Sequence, residues 1–241
     1  MSTQAHPGWS ARSGLYFVLL FGTVNLFADM TYEGARSVTG PFLGVLGANG
    51  FVVGAVAGFG EFLGYALRLV SGRWADRSRL YWPITLGGYV VQMVSVPALA
   101  LSGSWVGAAV LILLERIGRA TRNPPRDVML SHAAKQVGGY GWAFGLHEAL
   151  DQTGALVGPI AIAVVLASGS LTFGNYQMAF FYLAIPAAIM LALLAVARFT
   201  YPHPESMEQG PTEPDTGGLP TSFGSISWLP SWSAQGWADG L

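Results

Sequence analysis

The sequence predicts an all-α integral membrane bundle of six helices, and three observations lead there. Hydrophobic residues make up 52% of the chain and charged residues only 10%, whereas a water-soluble domain carries about 25% charged residues. Mean hydropathy is positive. The apolar residues gather into six runs near the length that crosses the ~30 Å hydrocarbon layer as a helix, with polar or turn-rich breaks between them. Lipid is therefore the expected solvent and the bilayer the first partner. The formal net charge of −1 gives no bulk attraction to nucleic acid, so no nucleic-acid partner is expected. With no cysteine in the chain, disulfides, thiolate metal sites and cysteine nucleophiles are excluded.

In chain order, residues 1–13 are polar with a single Arg12 and read as a cytoplasmic N-terminus. The six-span bundle follows over residues 14–199. Its first span, Gly14 to Arg36, holds Asn25, Asp29 and Glu33 and lacks a small-residue cleavage site, so it reads as retained and not as a signal peptide. The second, Gly50 to Val70, carries Gly54, Gly58, Gly60 and Gly64, a small-residue face suited to close helix packing. The third covers Trp82 to Leu101, and after Ser102-Gly103-Ser104 the fourth covers Trp105 to Ala120. A long polar connection leads to the fifth, Tyr140 to Ala167, and the sixth runs from Tyr176 to Arg198. Residues 200–241 begin with a Pro-, Gly- and Glu-rich stretch that reads as a flexible cytoplasmic linker. From Phe223 to Leu241 the chain is too polar and broken to span a membrane, and is expected to be disordered or interfacial.

Orientation follows from the basic residues, because positively charged loops stay cytoplasmic. Arg12, then Arg68, Arg73, Arg77 and Arg79, then Arg116, Arg119, Arg122, Arg126 and Lys135, then Arg198 all fall on one side, and only Arg36 on the other. The connections Ser37 to Asn49, Ser102 to Ser104 and Gly169 to Asn175 carry no charge. Both termini are expected in the cytoplasm, with the short loops external.

Ionisable groups inside spans are costly in hydrocarbon and mark a functional site facing the bundle interior. Asn25, Asp29 and Glu33 recur every four residues and share one helical face, with Arg36 close to the same stripe. Such a stripe either lines a polar pathway or forms a structural network in which Glu33 pairs with Arg36. Glu61, mid-span with no basic residue within four positions, is either protonated or paired with another helix. In the fifth span His147, Glu148 and Asp151 cluster, His147 and Asp151 on one face, as a candidate proton-handling group. A metal site is not expected, because His147 with Glu148 or Asp151 offers too few ligands. Neither a cofactor nor an enzymatic activity is expected: of the four histidines, His6, His132 and His203 lie outside the core spans, leaving no convergent catalytic set.

The segment Gly72-Arg73-Trp74-Ala75-Asp76-Arg77-Ser78-Arg79, between the second and third spans, resembles the G-x-x-x-D-R signature loop of the major facilitator superfamily. The glycine usual three positions after the Asp is Arg79 here. Leu113-Leu114-Glu115-Arg116 is similar to the family segment bearing an intramembrane arginine, with Ala120 replacing a downstream glycine. Gly145, Gly154, Gly158 and Pro159 reproduce a spacing associated with its antiporters, and Arg122-Asn123-Pro124-Pro125-Arg126-Asp127 resembles prokaryotic members described as drug or multidrug efflux proteins. The resemblance covers Gly14 to Arg198 and implies half of a twelve-helix architecture. It further implies a cytoplasmic gating role for Gly72, Asp76, Arg77 and Arg79, and a proton-linked role for Arg116.

The expectation drawn from it is a plasma-membrane secondary transporter, a proton-coupled exporter of small organic compounds. Asn25, Asp29, Glu33, Glu61, Arg116, His147, Glu148 and Asp151 would line the pathway. Its partners would be protons, a small-molecule substrate and a second half or second copy. The alternative is a truncated half that inserts and packs without transporting alone, with a non-native tail from about Gly224.

Overall fold

A computed structural model describes residues 11–134, 137–167 and 172–204. The linker and tail beyond residue 204, the first ten residues and Lys135 lie outside the described residues. Everything below concerns the compact unit Met1–Glu208.

Among the described residues the chain is all-helical. α1 spans Ala11–Val45, α2 Gly50–Ser78, α3 Tyr81–Ala98, α4 Trp105–Ala134, α5 Tyr140–Ala167, α6 Phe173–Tyr182 and α7 Ala184–Thr200, with one 3-10 turn at Leu99–Leu101. Five stretches are long and apolar enough to cross a membrane: Arg12–Val45, Gly50–Ser78, Tyr81–Leu101, Tyr140–Ala167 and Phe173–Thr200. The fourth helix is long enough, at 30 residues or about 45 Å of rise, but its arginines keep it out of that class.

Several boundaries differ from the expected ones. The first span continues through Pro41 to Val45, so most of the loop expected over Ser37 to Asn49 is helix, and Arg36 lies within the bundle wall. The Asn49 side chain then accepts from Val52 N at 2.9 Å and starts α2. The expected loop over Gly72 to Ser78 is instead the last turns of α2. The fourth span does not stop at Ala120 but continues through Pro124 and Pro125. Pro124 has no N–H for the Ala120 carbonyl four residues back, and Ser71 Oγ of α2 donates to that carbonyl at 2.9 Å instead. A neighbouring helix thus satisfies what the proline removes. The expected sixth span is two helices that meet at Leu183, because Pro186 removes a backbone donor there.

Close backbone approach sets the packing. A Cβ on Gly154 would collide with the Leu26 carbonyl and one on Gly158 with that of Met30, so α1 and α5 touch backbone to backbone. Gly88 and Gly118 do the same for α3 and α4. By contrast Gly54, Gly58 and Gly64 of α2 meet nothing within 4 Å. The small-residue face expected to pack α2 is open among the described residues; only Gly60 contacts α4, at Arg116 and Leu113. Two apolar layers close the bundle, one around Phe17, Phe21, Tyr89 and Met129, the other around Phe42, Leu99, Ile112 and Phe180.

Candidate functional site

Between those layers α1 and α4 face each other through charge. On α1, Asn25, Asp29, Tyr32, Glu33 and Arg36 fall on adjoining stripes of one face; on α4, Arg116, Arg119 and Arg122 recur every three residues. Because the helices face each other, the two series pair in rungs. Arg122 is fully buried; its Nε donates to Gln92 Oε1 at 2.6 Å and its Nη1 to Asn25 Oδ1 at 3.1 Å. Its guanidinium stacks over the Tyr89 ring at 4.2 Å, and Tyr89 Oη donates to the same Asn25 oxygen. Asp29 lies 3.4 Å from Arg119 and 3.7 Å from Arg122. Arg119 stacks on Tyr32 at 3.8 Å and reaches Glu33 at 3.8 Å. Arg116 donates to Tyr32 Oη and to Glu61 Oε1, the latter at 2.6 Å, and lies 3.5 Å from Glu115. Desolvated ions persist only when paired, and each of the three arginines has a carboxylate within 4 Å.

Three cavities run along this face. An apolar one of about 330 Å³ lies between the Val45 end of α1 and the start of α2, walled by Thr39, Leu43, Val53, Val56 and Ile112. A polar one of about 240 Å³ follows, with Glu33, Gly64, Tyr65, Arg68 and Arg119 in its wall. Tyr32, Arg36, Glu61 and Arg116 belong to both. A third, of about 330 Å³, is lined by Asp29, Arg122, Asn123, Arg126, Glu148 and Asp151, and shares Arg68 and Arg119 with the second. From Leu43 to Asp29 the series covers about 20 Å along α1 at ~1.5 Å per residue, most of the hydrocarbon thickness.

The expected pathway residues divide accordingly. Asn25, Asp29, Glu33, Glu61 and Arg116 come together on the α1–α4 face, and Glu61 takes the paired option, to Arg116 and to Arg36 at 3.4 Å. Glu33 does pair with Arg36, at 3.6 Å, while also facing Arg119. Of the fifth-helix group, His147 meets the Asn25 amide nitrogen at 2.9 Å, while Glu148, which accepts from Gln152 at 2.6 Å, and Asp151 both line the third cavity with Arg126. Gly154 and Gly158 hold α5 against α1, whereas Gly145 meets nothing within 4 Å, and Pro159 lies inside α5. Asp76, Arg77 and Arg79 are exposed at the end of α2, in no ion pair among the described residues, and Gly72 packs on Pro124. Arg79 caps the helix with φ of 53° and ψ of 20°, a left-handed conformation that favours glycine.

Tyr32, Tyr89 and Gln92 are absent from the expected site, and Arg119, Arg122 and Arg126 enter the expectation only as cytoplasmic-side charges that set orientation. A signal was available: Arg116, Arg119 and Arg122 repeat every three residues and Arg126 follows four later, the interval of one helix face. Among the described residues no group of three metal-ligating side chains converges.

No protein-family model matches the chain. It is 46% identical over 226 residues to uncharacterised proteins of Mycobacterium tuberculosis and Mycobacterium bovis, covering 91% of this chain and 53% of each of those. It is 30% identical over 141 residues to an uncharacterised MFS-type transporter of Methanocaldococcus jannaschii, covering 58% of this chain and 35% of that protein. The chain spans about half the length of the mycobacterial relatives it matches. With five helices long and apolar enough to span a membrane, the chain reads as a multipass membrane protein.

Proposed function

We propose that the chain is the six-span half of a major facilitator-type secondary transporter, in which proton movement drives small organic compounds out across the plasma membrane. The observation that carries this reading is the run of three joined cavities along α1, α2 and α4, walled by charges that pair across helices. Ion pairs of this kind have two arrangements: a proton on Asp29 weakens the hold of Arg119 and Arg122, and a solute entering beside Arg116 competes with Glu61. Such competition is the physical form of coupling, since a ligand shifts a conformational equilibrium only through differential contacts with its states. Gly154 and Gly158, where α5 lies bare against α1, permit helix sliding without side-chain clash.

A second reading is favoured by the match to about half the length of the mycobacterial relatives. On it, the chain inserts and packs but transports only with a second half or a second copy. The exposed apolar faces of α2 and α5, with Phe62, Leu69, Leu156 and Val164 more than 60% exposed, would then be covered by protein instead of lipid.

Both readings are tested in energised inverted vesicles carrying the chain, with a panel of cationic, neutral and anionic fluorescent organic compounds. Gradient-dependent movement of any of them, abolished by Asp29→Asn and by Arg116→Ala, supports the proton-coupled exporter, and crosslinking at increasing density then identifies a dimer. Inserted, folded protein that moves none of them supports the inactive half.

A further inference from the structure

The apolar and polar cavities share the wall of Tyr32, Arg36, Glu61 and Arg116, so one ligand can occupy both, and their contrast describes its chemistry. The apolar cavity is walled mainly by aliphatic groups from α1, α2, α3 and α4, among them Leu43, Val53, Val56, Val96, Leu99 and Ile112. The polar cavity carries four guanidinium groups, Arg36, Arg68, Arg116 and Arg119, against two carboxylates, Glu33 and Glu61. Arg36 and Arg116 are held by those carboxylates. Arg68, exposed in the cavity wall, is in no ion pair among the described residues. The cavity therefore offers one uncommitted guanidinium, in a wall with more arginines than carboxylates, beside an apolar slot.

We infer that this double cavity binds an anionic single-tailed amphiphile, its carboxylate or phosphate head against Arg68 in the arginine-rich wall and its tail in the slot between α1 and α2. Guanidinium groups grip both kinds of head through charge-assisted hydrogen bonds, and a tail in the slot leaves water as the hydrophobic effect requires. A rigid cation fits neither condition, since the head would face the unpaired Arg68. This assignment names the substrate class for the transport reading and rests on it.

The test uses the full chain in phosphatidylcholine vesicles and photoreactive diazirine probes of one tail length, bearing a carboxylate, a phosphate monoester, an alcohol or an amine. The expected result is labelling by the carboxylate or the phosphate at least tenfold above alcohol and amine, mapped to α1 and α2 peptides around Thr39 and Val56. Whichever anion labels more strongly identifies the source as a fatty acid or a single-chain phosphate. Arg68→Gln, an exposed position whose loss leaves the fold intact, lowers anion labelling about tenfold and leaves alcohol labelling unchanged; Val56→Trp fills the slot and lowers labelling by all probes. Equal labelling by the alcohol, stronger labelling by the amine, or full displacement of the anionic probe by inorganic phosphate alone overturns the assignment. Flux of the same probes, followed in parallel, separates the two claims: head-selective labelling without flux supports the ligand class while contradicting transport, and flux of the anion without head-selective labelling contradicts the ligand class alone.

Discussion

α2 and α4 run side by side at almost equal length, 29 and 30 residues, yet they invert the rule of a water-soluble core. The most apolar window of α2 is only 6% buried, with Phe51, Phe62, Leu69 and Val70 turned outward. α4 is too charged to register as a span, yet its Arg122 is completely enclosed and its Glu115 nearly so. Hydrocarbon outside the bundle accepts bare apolar surface at no cost, and only the interior can satisfy ions. Composition therefore says which helices touch lipid, while charge says which helix is central.

The contrast is broken most severely at Arg122. Replacing it by Leu takes the donor from Gln92 Oε1 and one of two guanidinium partners from Asp29, which keeps Arg119, and breaking a buried pair in this way costs about 3–5 kcal/mol. Unfolding in lipid nanodiscs should show a loss of that size, and one below 1 kcal/mol would mean the rung contributes little. Next comes Gly154→Val, which forces α5 off the Leu26 carbonyl. Overpacking of this kind costs roughly 1–3 kcal/mol, whereas Gly145→Ala, with open space around it, should be tolerated; equal effects of the two would remove the packing role of the glycine series. A smaller change of opposite sign is expected at the α2 terminus, where Arg79→Gly relieves a left-handed residue and stabilises by about 1 kcal/mol. Smallest is Phe62→Leu on the outer face of α2, within about 0.5 kcal/mol of the parent protein. A loss above 2 kcal/mol there would mean that the face is covered by another chain.

Much of the bundle was legible because apolar run length is a local property. Tyr140 to Ala167 was read to the residue, and the starts of the second and fourth helices were also correct. What failed had tertiary causes. The ends of α1, α2 and α4 run past their apolar runs because partners on other helices, such as Ser71 for the Ala120 carbonyl, support charged or proline-containing turns that a hydropathy window rejects. The stripe Asn25, Asp29, Glu33 was legible from its period. Its partners were not, because counting Arg119, Arg122 and Arg126 toward membrane orientation used up a signal that also encoded a buried face. Which of His147 and Asp151, four apart on one face, meets Asn25 could not be read from spacing, because only the position of α1 decides it.

The chain's lack of cysteine makes the most direct test of a water-accessible path simple. Single cysteines at Thr39, Gly64 and Asn123, one in each cavity wall, and at Phe62 and Val157 on the outer faces, would be treated in vesicles with an impermeant thiol reagent, which needs a hydrated thiolate. The account predicts modification at all three cavity positions and none at the two outer ones. Silent cavity positions, or outer positions that react as fast, would contradict it.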